Sequence, residues 1–314
     1  GWKPIFESWK ENELPKTFTQ DEVFRITDLF EQYIDPLLKY HRKSCHETSP
    51  TQDQNLVRAC MKIYGALLKP FNDEVYFNSI ELKSRLNILD NYFIFALIWS
   101  LGGSLTGQSR RNFDVNLKKI ANGGEGKKKL TLPDKQLYEY IYQINKGQEE
   151  GTWTLWTDLI NPNETISSKM QPQEIIVKTT DTVRYSYLVD LFIKNEIDGL
   201  FCGPTGTGKS VYIKNVLNQL PKDKYMVIDM AFSAQTSSNQ TQDIVDGSLT
   251  RRKKGHFGPP VGKRCILFVD DLNMPSKEKY GAQPPIEILR QLLDQGGWYD
   301  LKDKERPFAH ILDF

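Results

Sequence analysis

The chain has 314 residues, of which 39% are hydrophobic and 26% are charged, with 41 basic residues against 40 acidic ones. This composition predicts packed globular cores, and the length suits about two domains of roughly 100–200 residues each. A net charge of +1 provides no overall field of the kind that marks a nucleic-acid or membrane-surface binder. The most apolar run, residues 92–101, is shorter than the roughly 20 residues of a membrane-spanning helix.

The cysteines are few and widely spaced. Cys45, Cys60, Cys202 and Cys265 are far apart and form no CxxC pair, which predicts free thiols and argues against a zinc site. The first and last residues look like parts of a longer sequence. We therefore interpret the chain as a fragment.

Residues 20–122 are predicted to form an all-helical domain, because their apolar residues recur three and four positions apart. A capping box of Thr51 and Gln54 is expected to begin the second helix. Residues 82–101 are apolar on more than one face, which predicts a buried central helix. A short fourth helix is expected to stop at Gly123.

The helical spacing of apolar residues ends after this domain. Residues 123–129 predict a Gly/Lys linker, and residues 130–171 a small connecting element packed by Trp153 and Trp156. Strand-like and helix-like runs then alternate, which predicts a parallel sheet covered by helices on both faces. The expected strands are residues 175–177, 200–202, 226–228 and 265–269, and the expected helices are residues 182–195 (with Asp181 as N-cap), 211–220, 241–252 and 285–294. The basic runs 127–129 and 251–254 are interpreted as solvated loops.

Residues 203–210 match the pattern G-x4-G-K-[ST] between a predicted strand and a predicted helix. Glycines let the backbone curl around phosphate oxygens at a helix N-terminus, where unpaired N–H groups favour anions. The alternative is a Gly-rich turn that binds nothing. The predicted ATP contacts are Gly203, Pro204, Thr205, Gly206, Thr207, Gly208, Lys209, Ser210 and Val211, with Lys209 on the β and γ phosphates and the Ser210 hydroxyl on Mg²⁺.

An apolar strand that ends in two acids supplies the second half of such a site. Asp270 and Asp271 follow residues 265–269, and Asp270 is expected to hold Mg²⁺ through the water shell that this ion retains. Asp271 stands where P-loop ATPases of this type usually have a water-activating Glu, so it is the candidate catalytic base beside Lys209. The alternative is two solvated acids after a core strand.

Other candidates carry weaker signals. Thr236, in a polar segment after the predicted strand 226–228, would serve the γ-phosphate side of the site or form an ordinary Ser/Thr turn. Ile176, Val177 and Val183 are candidate adenine contacts, and ordinary core packing is the alternative for each of them.

Several segments combine with the phosphate loop into a family pattern. They are Thr179-Thr180-Asp181-Thr182-Val183-Arg184, Phe232-Ser233-Ala234-Gln235-Thr236, Gly258-Pro259-Pro260, Val269-Asp270-Asp271-Leu272-Asn273-Met274-Pro275 and Tyr280-Gly281-Ala282-Gln283-Pro284-Pro285. With them, residues 172–314 resemble the large subdomain of an AAA+ ATPase, more narrowly the third AAA+ module of a dynein heavy chain. The paired Asp before Leu-Asn-Met-Pro is similar to axonemal dyneins.

The first half carries a weaker part of the same resemblance. Residues 1–4 with Trp9 are similar to the end of the second module's large part, and residues 95–103 are similar to its helical lid. The resemblance implies a P-loop α/β fold with a parallel sheet flanked by helices, preceded by an all-helical lid. Its domains would be residues 1–122 (lid of the preceding module), 123–171 (linker and connecting element) and 172–314 (P-loop large subdomain, truncated).

The resemblance also implies a function. It predicts a regulatory site for ATP or ADP with Mg²⁺ in an axonemal dynein motor of the cilium. The expected partners are neighbouring AAA+ modules, microtubules through the full motor, and dynein intermediate and light chains, without nucleic acid or membrane. Asp271 in place of Glu implies slow hydrolysis. Two alternatives stay open: a module in which nucleotide has only a structural role, and an unrelated P-loop kinase or helicase.

Overall fold

A computed structural model describes residues 1–123, 128–145, 148–160 and 178–314. Its contacts divide the chain into two compact units, Gly1–Lys209 and Ser210–Phe314. The predicted strand 175–177, with the candidate adenine contacts Ile176 and Val177, lies outside the described residues.

The first unit is mainly helical. Its helices are α1 (Lys3–Glu13), α2 (Gln20–Ser44), α3 (Asp53–Leu68), α4 (Glu74–Asn78), α5 (Leu82–Trp99), α6 (Gly107–Ala121) and α7 (Thr180–Lys194). Ile94, Ala96 and Leu97 are fully buried along α5, as the prediction of a central helix requires. Leu188 of α7 joins the same hydrophobic core, so this helix packs within the first unit.

Two of the predicted helix starts are wrong. Helix α3 begins at Asp53 without a capping box, because the Thr51 hydroxyl is bonded to the Glu47 carboxylate. Helix α7 is capped by Thr179, whose hydroxyl accepts from the Thr182 N–H at 3.2 Å, and Asp181 lies in its first turn.

The small connecting element is an antiparallel pair, β1 (Tyr140–Gln143) and β2 (Thr152–Leu155). The Trp153 indole N–H donates to Asn91 Oδ1 at 2.8 Å. Trp156 is fully buried, and its indole N–H donates to the Tyr138 carbonyl at 3.1 Å. Both tryptophans therefore pack this element against its own unit.

The second unit is α/β, as predicted. Helix α8 (Lys209–Gln219) leads into it, followed by β3 (Tyr225–Ala231), α9 (Ser238–Ser248), β4 (Thr250–Lys253), β5 (His256–Gly258), β6 (Arg264–Asp270), α10 (Pro284–Gln295), β7 (Gly297–Tyr299) and β8 (Phe308–Ile311). Strands β3 and β6 form a parallel pair, and the other strands form a mixed sheet in the order β4-β5-β8-β7. Val245, Leu289 and Trp298 are buried in its core.

Three local predictions for the second half of the chain are wrong. Helix α9 stops at Ser248, and the basic run that follows is a β-hairpin, because Gly255 (φ +73°) turns β4 back onto β5. Residues 200–202 form no strand; a strand requires a hydrogen-bonded neighbour, which an apolar run alone cannot guarantee. No helix among the described residues is long and apolar enough to cross a membrane.

Candidate functional site

The phosphate-loop candidate belongs to the first unit and ends where α8 begins. Gly206 and Gly208 both have φ near +80°, a conformation that residues with a side chain rarely adopt. Residues 203–207 are exposed. The loop thus has the glycine-dependent backbone and the adjoining helix N-terminus that phosphate recognition needs.

The Lys209 side chain bonds to the backbone of its own loop. Its ammonium donates to the carbonyl oxygens of Gly203 at 2.9 Å and Pro204 at 2.6 Å. The Thr207 hydroxyl also donates to the Pro204 carbonyl, at 2.9 Å. The only positive charge of the motif is therefore held over the loop backbone by neutral acceptors, which an anionic ligand can replace.

Ser210 and Asp270 meet in the second unit. The Ser210 hydroxyl donates to Asp270 Oδ1 at 2.8 Å, although the two residues are sixty positions apart in the sequence. Ser210 lies in the first turn of α8, and Asp270 is the last residue of β6. Lys214 fastens the same helix to β3 through its ion pair with Asp229 at 2.9 Å; the hydrogen bond to Asp229 raises the pKa of Lys214.

These oxygens suit a magnesium ion. Mg²⁺ prefers oxygen ligands, retains several waters and needs few carboxylates. A hydroxyl and a carboxylate oxygen at hydrogen-bonding distance provide such a pair, and both side chains are only half buried. Nowhere in the described ranges do three or more His, Cys, Asp or Glu side chains lie close enough together to hold a metal ion among themselves.

Asp271 lies just past the strand, in an unusual conformation. Its φ is +52°, its side chain is exposed, and its N–H donates to Asp270 Oδ1 at 3.1 Å. The β3–β6 register runs without a shift from Tyr225 opposite Arg264 to Ala231 opposite Asp270. The strand therefore delivers both acids at its carboxyl end, where ligands of parallel sheets bind.

The remaining candidates have ordinary local partners. Thr236 belongs to a turn in which its hydroxyl oxygen accepts from the Ser233 N–H at 2.8 Å. Val183 is half buried and packs against the core of the first unit. Sequence reasoning did not assign a role to Ser276 or Gln283, whose side chains bond to backbone carbonyls around Asp271.

Comparison with known families agrees with this geometry. The family model described as P-loop containing dynein motor region matches residues 164–314. The family model described as Dynein heavy chain AAA lid domain matches residues 26–158. The chain belongs to the dynein heavy chain family. Both matches count against an unrelated P-loop kinase or helicase.

Individual relatives of this dynein chain align along almost its full length. Dynein axonemal heavy chain 3 of Mus musculus is 38% identical over 324 residues, covering 98% of this chain and 8% of the relative. Dynein axonemal heavy chain 12 of Rattus norvegicus is 40% identical over 324 residues, covering 96% of this chain and 10% of the relative. The chain thus spans 8% and 10% of the length of these two curated relatives.

Proposed function

We propose that this dynein chain provides the ATP·Mg²⁺ site of one AAA+ module, and that nucleotide binding with slow hydrolysis there regulates an axonemal motor. The relatives named above are axonemal heavy chains. Within this proposal, residues 1–122 are the lid of the second module, 123–171 connect it onward, and 172–314 are the P-loop subdomain of the third.

The observation that carries the proposal is the hydrogen bond between Ser210 and Asp270. Two motifs recognised separately in the sequence each contribute one oxygen to it. The alternative, a Gly-rich turn that binds nothing, does not account for the bond between the Ser210 hydroxyl at its end and a carboxylate sixty positions away. Bound Mg²⁺ would offset phosphate charge, with Ser210 as its ligand and Asp270 holding its waters.

Lys209 and the loop glycines would bind the phosphates. The Lys209 ammonium would exchange the carbonyls of Gly203 and Pro204 for phosphate oxygens, and charge-assisted bonds of this type are stronger than bonds between neutral groups. The N–H groups of the loop and of the first turn of α8 would supply further donors.

Asp271 would orient and deprotonate the attacking water. Its exposed carboxylate is one methylene shorter than that of Glu, and a general base must lie about 2.6–3.2 Å from the proton it abstracts or act through one water. Because β6 contains no register shift that would advance the backbone, we expect binding to be preserved and hydrolysis to be slow. These properties suit a regulatory site better than a main source of force.

The partners of the whole motor are part of the same proposal. We infer that the chain works with neighbouring AAA+ modules, with microtubules through the full motor, and with intermediate and light chains in the ciliary axoneme. The alternative, in which nucleotide only holds subdomains together, predicts no measurable exchange or hydrolysis at this module in an intact motor.

A titration of the purified chain with MgATP tests the site directly. Lys209→Ala should raise the dissociation constant about 10- to 100-fold, because hydrogen bonds to charged groups contribute about 1.5–3 kcal/mol. Lys222→Ala, at an exposed position outside the motif, is the matched control and should leave the constant unchanged. Equal affinities for Lys209→Ala and the unaltered chain would contradict the proposal, provided that circular dichroism shows both to be folded.

A further inference from the structure

The residues that follow the two acids form a closed loop. After Asp271, a first turn is bonded from the Met274 N–H to the Asp271 carbonyl at 2.9 Å. A second turn is bonded from the Glu278 N–H to the Ala282 carbonyl at 2.8 Å, with Gly281 at φ +84°. The loop ends at α10, so its shape determines where the backbone of Asp271 lies.

Gln283 joins the two ends of this loop. It occupies the N-cap position of α10, where its carbonyl accepts from the Ile286 N–H at 2.9 Å. Its side chain does not cap the helix. Instead, the carboxamide NH₂ donates to the carbonyls of Asn273 at 3.2 Å and Pro275 at 2.6 Å. Two of the segments that carry the family pattern, residues 269–275 and 280–285, are thereby connected by one side chain.

Ser276 fastens the same loop to the neighbouring strand. Its hydroxyl and its N–H both donate to the Ala234 carbonyl, at 2.8 Å and 3.3 Å. Ala234 follows β3, and the Phe232 N–H between them donates to the Asp270 carbonyl at 2.9 Å. The loop is therefore held to the carboxyl ends of both parallel strands.

Asp271 needs such support. A left-handed φ is uncommon for a residue with a side chain and persists only where the surroundings hold it. Among the described residues, no side chain forms a hydrogen bond to the exposed Asp271 carboxylate. The position of this acid consequently depends on the backbone around it, and that backbone is held by Gln283 and Ser276.

We propose that Gln283 is a positioning residue that, with Ser276 as a second anchor, holds Asp271 in place at the nucleotide site. This inference rests on the proposed function for the role of Asp271, but the positioning itself does not require nucleotide. Gln283 would act through the carbonyls of Asn273 and Pro275, without touching the ligand.

Amide hydrogen exchange of the 314-residue chain tests the positioning without ligand. The Met274 amide reports the turn at Asp271, and the Ser276 amide reports the link to Ala234. Gln283→Met has a similar length but no donor, and exchange at Met274 should become about tenfold faster or more, because both side-chain hydrogen bonds to this loop are lost. Gln283→Lys, which retains a donor of similar reach, should restore most of the protection.

Two further variants keep the test independent of the fate of one mutant. Gln291→Met, on α10 and bonded to Gln295 of the same helix at 3.3 Å, is the control and should leave Met274 exchange unchanged. Ser276→Ala removes the hydroxyl bond and should speed exchange at the Ser276 amide about tenfold, with a small change in melting temperature.

A MgATP titration on the same variants connects the positioning to the site. In the unaltered chain, bound MgATP should slow hydrogen exchange at the Met274 amide. Gln283→Met should bind MgATP within about threefold of the unaltered chain, because Gln283 touches no ligand-binding group. In this variant, however, bound MgATP should not slow exchange at Met274. Met274 exchange within twofold of the unaltered chain in folded Gln283→Met would overturn the inference for Gln283, and unchanged Ser276 exchange in Ser276→Ala would overturn the role of the second anchor. Absence of MgATP binding by the unaltered chain would instead refute the proposed function. Exchange at Met274 without ligand would still test the positioning by Gln283.

Discussion

The bond between Ser210 and Asp270 leads to a prediction about magnesium. Ser210→Ala removes one oxygen of the pair, whose atoms are 2.8 Å apart, and leaves Asp270 Oδ1 with the Asp271 N–H as its remaining donor. Hydrogen bonds to charged groups contribute about 1.5–3 kcal/mol. Because both residues are only half buried, solvent replaces part of the loss, and the lower value of about 1.5 kcal/mol is the relevant one.

That free energy corresponds to about a tenfold weaker binding of MgATP. The effect should depend on the metal, because in the proposed site the phosphate contacts come from Lys209 and the loop glycines, which are unchanged in the variant. We therefore expect the dissociation constant for ATP in EDTA to differ by less than about twofold between Ser210→Ala and the unaltered chain. Magnesium would strengthen ATP binding less in the variant.

Calorimetric titration of ATP in excess magnesium and in EDTA measures both constants. Ser248→Ala is a suitable control, because the Ser248 hydroxyl is bonded to the Ile244 carbonyl of its own helix, at 2.9 Å, outside the proposed site. If Ser210→Ala weakens ATP binding equally with and without magnesium, Ser210 acts in the phosphate loop and not at a metal. If it changes neither constant, the assignment of the pair as a magnesium site is refuted.

Three further predictions concern the rate of hydrolysis and the stability of the helical unit. In a motor with its other sites disabled, Asp271→Glu should raise single-turnover hydrolysis up to about 100-fold without tighter binding, and an unchanged rate in Asp271→Asn would exclude Asp271 as the base. The purified chain, assayed without neighbouring modules, should hydrolyse ATP more slowly than about 1 s⁻¹ at steady state, because an arginine supplied to the site from another protein contributes about 10³–10⁵ in rate in other P-loop enzymes; faster turnover would show that no such residue is needed. Burial alone raises the pKa of Glu22, but hydrogen bonds from Thr19 and Arg85 hold it below the ordinary value of 4.5, so the stabilisation is complete above that value and is lost as the pH falls below it. The melting temperature should decline on acidification in the unaltered chain and less so in Glu22→Gln, and parallel curves would contradict this account.

The sequence by itself determined the features that depend on short-range chemistry. The apolar spacing predicted α2, α3, α5 and α6, because burying one face of a helix is a local requirement of the pattern. The loop glycines were expected to let the backbone curl around phosphate oxygens, and Gly206 and Gly208 both have positive φ. The pairing of Ser210 with Asp270 was also foreseen, because both belong to motifs whose separate roles converge on one ion.

Only the tertiary structure decided which distant groups meet. The apolar residues 200–202 form no strand, whereas residues 250–253, of which three are basic, do, because a strand depends on a hydrogen-bonded neighbour that the local pattern does not reveal. A capping residue also depends on which partner its side chain meets. The Thr51 hydroxyl bonds to the Glu47 carboxylate and does not cap a helix. The Lys209 ammonium bonds to a backbone carbonyl of its own loop. The Gln283 carboxamide likewise bonds to the backbone carbonyls of Asn273 and Pro275. Every residue carries such a carbonyl, so the amino-acid sequence cannot indicate which one a side chain will reach until the chain has folded.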